Sequence, residues 1–317
     1  MASLPIIDIS GLASSNPMDR AIVGEQLGSA CLAHGFFYCT GHGVPEGLIR
    51  AVIDETRALF DLAPEAKDAV DKAQSPANRG YEYLGGQTLQ PGALPDRKEG
   101  YYIGEELPER DPRFGRFNQG ANQWPSDLPG FRPTMIAYQA ALGAVGATLM
   151  RGMALSLGLA EDAFKAFTEQ PLTTLRLLHY PPARAEVPDE MGAGAHTDFG
   201  GLTILLQDNV GGLQVKDPDG GWIDAPPIPG AYVVNLGDMI ARWTNDRYRS
   251  TLHRVINRSG RERYSVPFFY TGNPDYEVTC VPTCLYSDEV PKYPPIRVED
   301  HLKAMYAKTY VAGPAPT

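Results

Sequence analysis

The chain has 317 residues, a formal charge of −10, and an ordinary mix of 43% hydrophobic and 21% charged residues. That length can bury a large core, as one elaborated domain or two intimately packed ones. The acidic balance argues against nucleic acid or an anionic membrane as partner, since both bind through clustered Lys and Arg.

Residues 4–9, Leu-Pro-Ile-Ile-Asp-Ile, read as a short apolar opening strand. A helix is expected from about 17 to 34, with Val23, Leu27, Ala30 and His34 near 3.6-residue spacing. Residues 35–39 read as a buried strand, and a second helix carries Ile49, Val52, Ile53, Thr56, Leu59 and Phe60 on one face. His34 and His42 fall within these packing elements and read as structural. From about 74 to 133 the pattern breaks up, with frequent Gly, Pro, Asn and Asp and clustered aromatics, among them Tyr101 and Tyr102. A long irregular segment of this kind is either the wall of a site or a packed surface excursion. A long helix follows from about 133 to 157, where interspersed Ala and Gly suggest close packing on a sheet. After Pro171 the chain turns to short strands, expected at 173–180, 202–207, 213–215, 222–225, 232–236, 253–256 and 264–270. Their spacing suggests a sandwich or barrel, jelly roll included. A last helix is expected over 298–310. No repeat or flexible linker divides the chain.

Cys31, Cys39, Cys280 and Cys284 make no C-x-x-C pair and cannot staple a chain of this size, so they read as free thiols in a reducing compartment. The N-terminal residues have no basic n-region, and no stretch approaches the ~20 apolar residues of a membrane span. The expected location is the cytoplasm.

His196-Thr197-Asp198 is the stretch with the most chemistry. Residues i and i+2 of a strand point to one face, so a strand or strand end here aims an imidazole and a carboxylate at one point. Alone, H-x-D is a weak signal in a chain with 6 histidines and 38 acidic residues. His253 follows on a later expected strand. Two imidazoles and one carboxylate leave coordination positions open, which suits Fe(II) and O₂ chemistry, whereas structural zinc takes a closed set of four. Arg263 and Ser265 then share a strand face, where a guanidinium beside a hydroxyl can hold a carboxylate. An isolated R-x-S has a plainer reading as a surface strand.

Taken together, H-x-D, the distal His253 and R-x-S resemble the 2-oxoglutarate/Fe(II) dioxygenase superfamily. The narrower resemblance is to the branch with plant flavonoid and gibberellin oxygenases, ACC oxidase and isopenicillin N synthase. It spans nearly the whole chain: Ile6-Ile7-Asp8-Ile9, His34-Gly35-Phe36-Phe37 through Val44-Pro45, Asn122-Gln123-Trp124-Pro125, Pro129-Gly130-Phe131-Arg132, Tyr180-Pro181-Pro182, Val234-Asn235-Leu236-Gly237-Asp238 and Asn245-Asp246-Arg247-Tyr248-Arg249-Ser250.

The resemblance implies an α+β fold, a double-stranded β-helix (jelly roll) flanked by helices. Its parts would be an N-terminal region at 1–130, a long helix at 131–170, the jelly-roll core at 171–276 and a C-terminal helical region at 277–317. It makes His196, Asp198 and His253 the iron ligands. Arg263 and Ser265 become the anchor of the distal carboxylate of 2-oxoglutarate, with Tyr180 beside them. Asn235 would either touch the cofactor or hold a β-turn, and His179 and His301 match no ligand position. The implied reaction uses Fe(II), 2-oxoglutarate and O₂ to oxidise, by default hydroxylate, a C–H bond of a small molecule, releasing succinate and CO₂. Candidate substrate contacts are Phe199, Trp243, Phe269 and Tyr101 or Tyr102, with core packing as the alternative for each. Three other readings share the motifs: an oxidase that does not use 2-oxoglutarate, an enzyme that fragments it to ethylene, and a sensor without turnover. The protein is expected to be a monomer or weak homo-oligomer, with no nucleic acid and no membrane as partner.

Overall fold

The computed structural model describes residues 3–310 apart from 185, 188 and 189; residues 311–317 of the expected C-terminal region lie outside the described residues. The strands in chain order are β1 (Ile6–Asp8), β2 (Phe36–Thr40), β3 (Gly80–Glu82), β4 (Glu99–Gly104), β5 (Leu172–Tyr180), β6 (Ala193–His196) and β7 (Leu202–Gln207). They continue with β8 (Leu213–Lys216), β9 (Trp222–Asp224), β10 (Tyr232–Leu236), β11 (His253–Val255), β12 (Arg263–Gly272), β13 (Glu277–Val278) and β14 (Ile296–Arg297). The helices are α1 (Pro17–Ala33), α2 (Glu46–Phe60), α3 (Pro64–Asp68), α4 (Phe131–Ser156), α5 (Lys165–Thr168), α6 (Asp238–Trp243) and α7 (Val298–Tyr310).

Two sheets make the jelly roll. The major sheet runs β1-β2-β10-β7-β12-β5-β4-β3, and the minor one β6-β11-β8-β9. All of their pairings are antiparallel except β1 with β2. The space between them is filled by Phe36, Tyr38, Leu178, Tyr180, Leu213, Val215, Val233 and Val255. The far face of the major sheet packs on α1, α2 and α4 through a larger apolar cluster.

The helices start and sit where the sequence directs. Asn16 accepts the Met18 amide at 3.1 Å and Pro17 takes the first helical position, so α1 begins with one orphan amide satisfied and its first residue pre-set for a helix. In α4 the small residues allow close approach: a Cβ at Gly146 would stand 2.5 Å from the Tyr270 ring on β12. No helix among the described residues is long and apolar enough to cross a membrane. All four cysteines are free, three of them buried.

The stretch from 74 to 133 is less irregular than its composition suggests. It supplies β3 and β4, which extend the major sheet beyond β5. All six residues of β4 are buried, so the strand shows no alternation of polar and apolar residues to betray it. The short α6 was likewise hidden inside a turn-rich run.

Candidate active site

Strand alternation builds the site. On β12, Arg263, Ser265, Pro267, Phe269 and Thr271 share the face turned toward the minor sheet, while Tyr264, Val266, Phe268 and Tyr270 join the core beneath the helices. On the neighbouring β5, Thr174, Arg176, Leu178 and Tyr180 share that inner face. The minor sheet closes over them. His196 ends β6, His253 begins β11, and the two are direct partners across the ladder.

Their imidazole centroids are 4.2 Å apart. Asp198, just beyond β6, brings Oδ1 to 3.9 Å from His196 Nε2 and 3.8 Å from His253 Nε2. No other group of three or more His, Cys, Asp or Glu side chains converges in this way among the described residues. Each imidazole donates Nδ1–H to a carbonyl two residues earlier, His196 to Gly194 at 2.7 Å and His253 to Thr251 at 3.2 Å. That fixes the tautomer and leaves both Nε2 lone pairs facing Asp198. Burial, together with the facing His253, pushes His196 below its ordinary pKa, which favours the neutral, ligating form. Burial opposes ionisation of Asp198, yet the two imidazoles and the hydrogen bonds of Asn235 and Thr203 hold its carboxyl below the usual range.

The second oxygen of Asp198 is held firmly. Its Oδ2 accepts from Thr203 Oγ1 at 2.5 Å and from Asn235 Nδ2 at 2.7 Å. The side chain of Asn235 therefore orients a donor carboxylate, a role distinct from a turn brace; it also lines the adjoining cavity. Removing such a partner costs metal sites about 10–100-fold in affinity. Asn235→Ala is expected to weaken iron binding by that factor, read by titration against a chelator. The backbone is tied down as well: the Asp238 amide donates to the Asp198 carbonyl at 2.7 Å, and the Asp238 carboxylate accepts from Ser250 Oγ at 2.6 Å and Thr197 Oγ1 at 3.2 Å. His301 donates Nε2–H to the Phe199 carbonyl at 3.0 Å, and His179 lies between Glu99 and Glu262 on the helix side of the sheet; neither is near a ligand position.

Two cavities meet at His196 and Asp198, and His253 lines the inner one. The inner one is lined by Tyr180, Asn235, Arg263, Ser265 and apolar residues of the inter-sheet core. Arg263 is fully buried, and its hydrogen-bond partners are all neutral: Nε to the Gly211 carbonyl at 2.5 Å, Nη2 to Gln207 at 3.1 Å and Nη1 to Ser265 at 3.3 Å. Its Cζ lies 4.7 Å from the Tyr180 ring centre. No carboxylate among the described residues forms an ion pair with it. A buried guanidinium without a counter-ion is costly, so the cavity is built for an anion. The donor set fits iron equally well: two neutral nitrogens and one carboxylate oxygen, with no fourth protein donor among the described residues to close the shell.

The outer cavity is lined by Phe199, Phe269, Tyr102, Gln87, Arg176 and Tyr306, among others. Of the aromatics singled out in the sequence, Phe199, Phe269 and Tyr102 lie on it. Tyr101 does not. Adjacent residues on a strand face opposite sides, and Tyr101 is buried toward the helices, donating its hydroxyl to the Gln123 carbonyl at 2.7 Å. Trp243 does not either; it is a core residue packed on Phe164, Phe167 and Tyr276. Arg176, Thr203 and Lys98 were missed. Arg176 could have been found by stepping back two and four residues from Tyr180 along one strand face, whereas Lys98 sits in a segment whose strand was hidden.

A jelly roll carrying two histidines and one carboxylate at the mouth of an anion-seeking cavity defines a mononuclear non-heme iron oxygenase site. Residues 172–272 match the model of the 2OG-Fe(II) oxygenase superfamily, and residues 4–127 match that of the N-terminal region of non-haem dioxygenases in morphine synthesis. The 2-oxoglutarate-Fe(II) type oxidoreductase hxnY of Emericella nidulans is 46% identical over 314 residues, covering 96% of this chain and 90% of that protein. A 2-oxoglutarate-Fe(II) type oxidoreductase of Aspergillus fumigatus is 41% identical, covering 93% and 90%. Among solved structures, a full-length Neurospora crassa protein in complex with alpha-KG superposes with a TM-score of 0.87 at 32% identity, covering 97% of this chain and 96% of that one. JOX2 in complex with 2OG, Fe and JA gives 0.81 at 31% identity, covering 97% and 86%. The chain belongs to the 2OG-Fe(II) oxygenase superfamily and is a 2-oxoglutarate/Fe(II)-dependent dioxygenase.

Proposed function

We propose that His196, Asp198 and His253 hold Fe(II), that Arg263, Ser265 and Tyr180 hold the distal end of 2-oxoglutarate in the inner cavity, and that the outer cavity takes a small, ring-bearing substrate whose C–H bond is hydroxylated. The observation that carries the co-substrate assignment is the fully buried Arg263 with only neutral partners. The chemistry supplied by Fe(II), 2-oxoglutarate and O₂ is oxidative decarboxylation to succinate and CO₂, coupled to oxidation of a substrate C–H bond.

The rest is the work of the chain. Arg263 neutralises one carboxylate, its own position fixed by the rigid β12. Ser265 adds a hydroxyl on the same face. Asn235 and Thr203 keep Asp198 turned so that one oxygen alone faces the centre. The apolar inter-sheet residues exclude water from the inner cavity. Phe199 and Phe269 present flat apolar surfaces to the substrate, as suits a ring, and Tyr102, Gln87 and Asn118 offer polar contacts that select its orientation.

The segments divide the labour accordingly in this reading. Residues 171–276 carry iron and co-substrate, and 1–130 supply the helices and the substrate-side wall. Residues 131–170 brace the sheet, and 277–317 place Leu302 and Tyr306 over the outer cavity. Free thiols fit a reducing cytoplasm. The net charge of −10 weighs against nucleic acid as a partner, and a monomer or weak homo-oligomer completes the picture.

The test is stoichiometric. Iron-dependent O₂ uptake on adding 2-oxoglutarate, with one succinate per product, is the expected result. Product without succinate would instead indicate an oxidase, and ethylene in the headspace would indicate fragmentation of the co-substrate.

A further inference from the structure

The loop that carries Asp198 has backbone carbonyls to satisfy. Strand β6 ends at His196 and β7 begins at Leu202, so residues 197–201 belong to neither strand and need partners from elsewhere. The start of α6 supplies three. The amides of Asp238, Met239 and Gly237 donate to the carbonyls of Asp198, Gly200 and Gly201 at 2.7, 3.3 and 2.8 Å. The carbonyl of Phe199 is taken by a side chain from a different element. His301 of α7 donates Nε2–H to it at 3.0 Å.

His301 is buried, only 8% exposed. Burying an imidazole costs free energy unless its polar atoms are used, and here one is spent on the peptide that follows an expected iron ligand. The Asp238 amide and the His301 ring grip consecutive carbonyls, those of residues 198 and 199. Peptide units are planar, so holding two in succession fixes φ and ψ of the residue between them, Phe199. That sets how its ring enters the outer cavity relative to the peptide of Asp198. At the other end of the strut, α7 is itself a wall of that cavity. Leu302 and Tyr306, one helical turn apart, line it with Phe199, and the Phe199 and Tyr306 ring centroids are 6.2 Å apart. The first turn of α7 is fastened independently: the Val298 and Glu299 amides donate to the carbonyls of Tyr276 and Pro274 at 3.0 and 3.1 Å.

We infer that His301 is a positioning residue for the reaction, tying α7 to the peptide after Asp198 so that the substrate-side wall and the donor carboxylate are set as one unit. The inference rests on the reading of Asp198 as an iron ligand and of the outer cavity as the substrate site. A ring packed on Leu302 and Tyr306 bears on Phe199 and, through it, on Asp198. Linkage is reciprocal, so whatever fixes Asp198 also steadies α7. A helix that merely packs on the core carries no such linkage.

The experiment is amide hydrogen exchange followed by mass spectrometry under anaerobic conditions, which reads local opening segment by segment. Wild type, His301→Leu and His301→Gln are each compared alone and saturated with Fe(II) and 2-oxoglutarate. In the wild type, loading is expected to slow exchange in residues 298–306 about fivefold or more, the lower end of coupling between linked sites. His301→Leu fills the space but donates nothing, and should lose that protection while exchange in β12 stays as in the wild type. It should also bind Fe(II) about fivefold more weakly, measured by competition with a chelator. His301→Gln brings an amide N–H to the same carbonyl and should restore both. Should His301→Leu not fold, His301→Asn, whose shorter amide falls short of the carbonyl, takes its place with the same expectations. Unchanged exchange in α7 on loading the wild type overturns the inference. So does protection that survives in His301→Leu, or an Fe(II) affinity that the substitution leaves untouched. A Gln variant as defective as the Leu variant would assign the effect to the shape of the ring and overturns it too. A wild type that binds no Fe(II) would instead overturn the ligand assignment itself.

Discussion

Asp198→Ala is expected to yield a folded protein that neither retains iron nor consumes O₂ with 2-oxoglutarate. Three donors converge, and deleting the central carboxylate leaves two imidazoles whose Nε2 atoms face a vacated space. The same deletion strands the side-chain donors of Asn235 and Thr203, both buried, which now lack an acceptor. Leaving a buried donor unmatched costs about 1–3 kcal/mol. In a protein of this size each kcal/mol lowers Tm by roughly 1–2 °C. A modest fall in Tm with complete loss of turnover is therefore the signature, read by calorimetry, metal analysis and an oxygen electrode. An Asp198→Ala variant that still carries iron and turns over would remove the assignment of the three ligands.

Arg263→Gln separates co-substrate binding from folding. In the proposed complex, Arg263 would face a carboxylate in a site shut off from water, and truncating one partner of such a pair costs about 2 kcal/mol or more. The KM for 2-oxoglutarate is expected to rise at least about 30-fold. Ser265→Ala should stay below about tenfold, because it removes one hydrogen bond and no charge. The stability of the unliganded variant should hold or rise, since the substitution removes a buried cation whose partners are all neutral. The rise in Tm that 2-oxoglutarate induces in the wild type should vanish. An unchanged KM would mean that the inner cavity serves some other anion.

The residues expected to act together were legible because chemistry constrains them locally. H-x-D and R-x-S each rely on two-residue alternation, which survives in any strand register. The strands at 202–207 and 232–236 were legible in full because turn residues bound them. Much of what the sequence concealed has one physical origin, burial on both faces. Strand β4, buried throughout, carries no alternation, so both its existence and the direction of Lys98 were hidden. The choice between Tyr101 and Tyr102 was undetermined for the same reason: neighbours on a strand must diverge, but only the register of β4 on β5 says which one turns inward. Trp243 misled because its position in the chain is close to the motifs, while α6 carries it away into the core against Phe164 and Phe167.

The division of the site between two sheets has a mechanical consequence. The nitrogen donors belong to the minor sheet and the guanidinium to the major one, and no strand ladder joins the two among the described residues. What sets their separation is the apolar filling between them, Phe36, Leu178, Leu213 and Val255 among others. Phe36 also rests edge-on against the His253 ring, at 5.3 Å between centroids. In the proposed complex, the span that one small dianion would cross between the three donors and Arg263 is thus a packing thickness. Protein interiors are close-packed and resist compression, so this layer acts as a spacer of fixed gauge. A methylene added or removed there would alter the fit of the dianion while every group that touches it stayed in place.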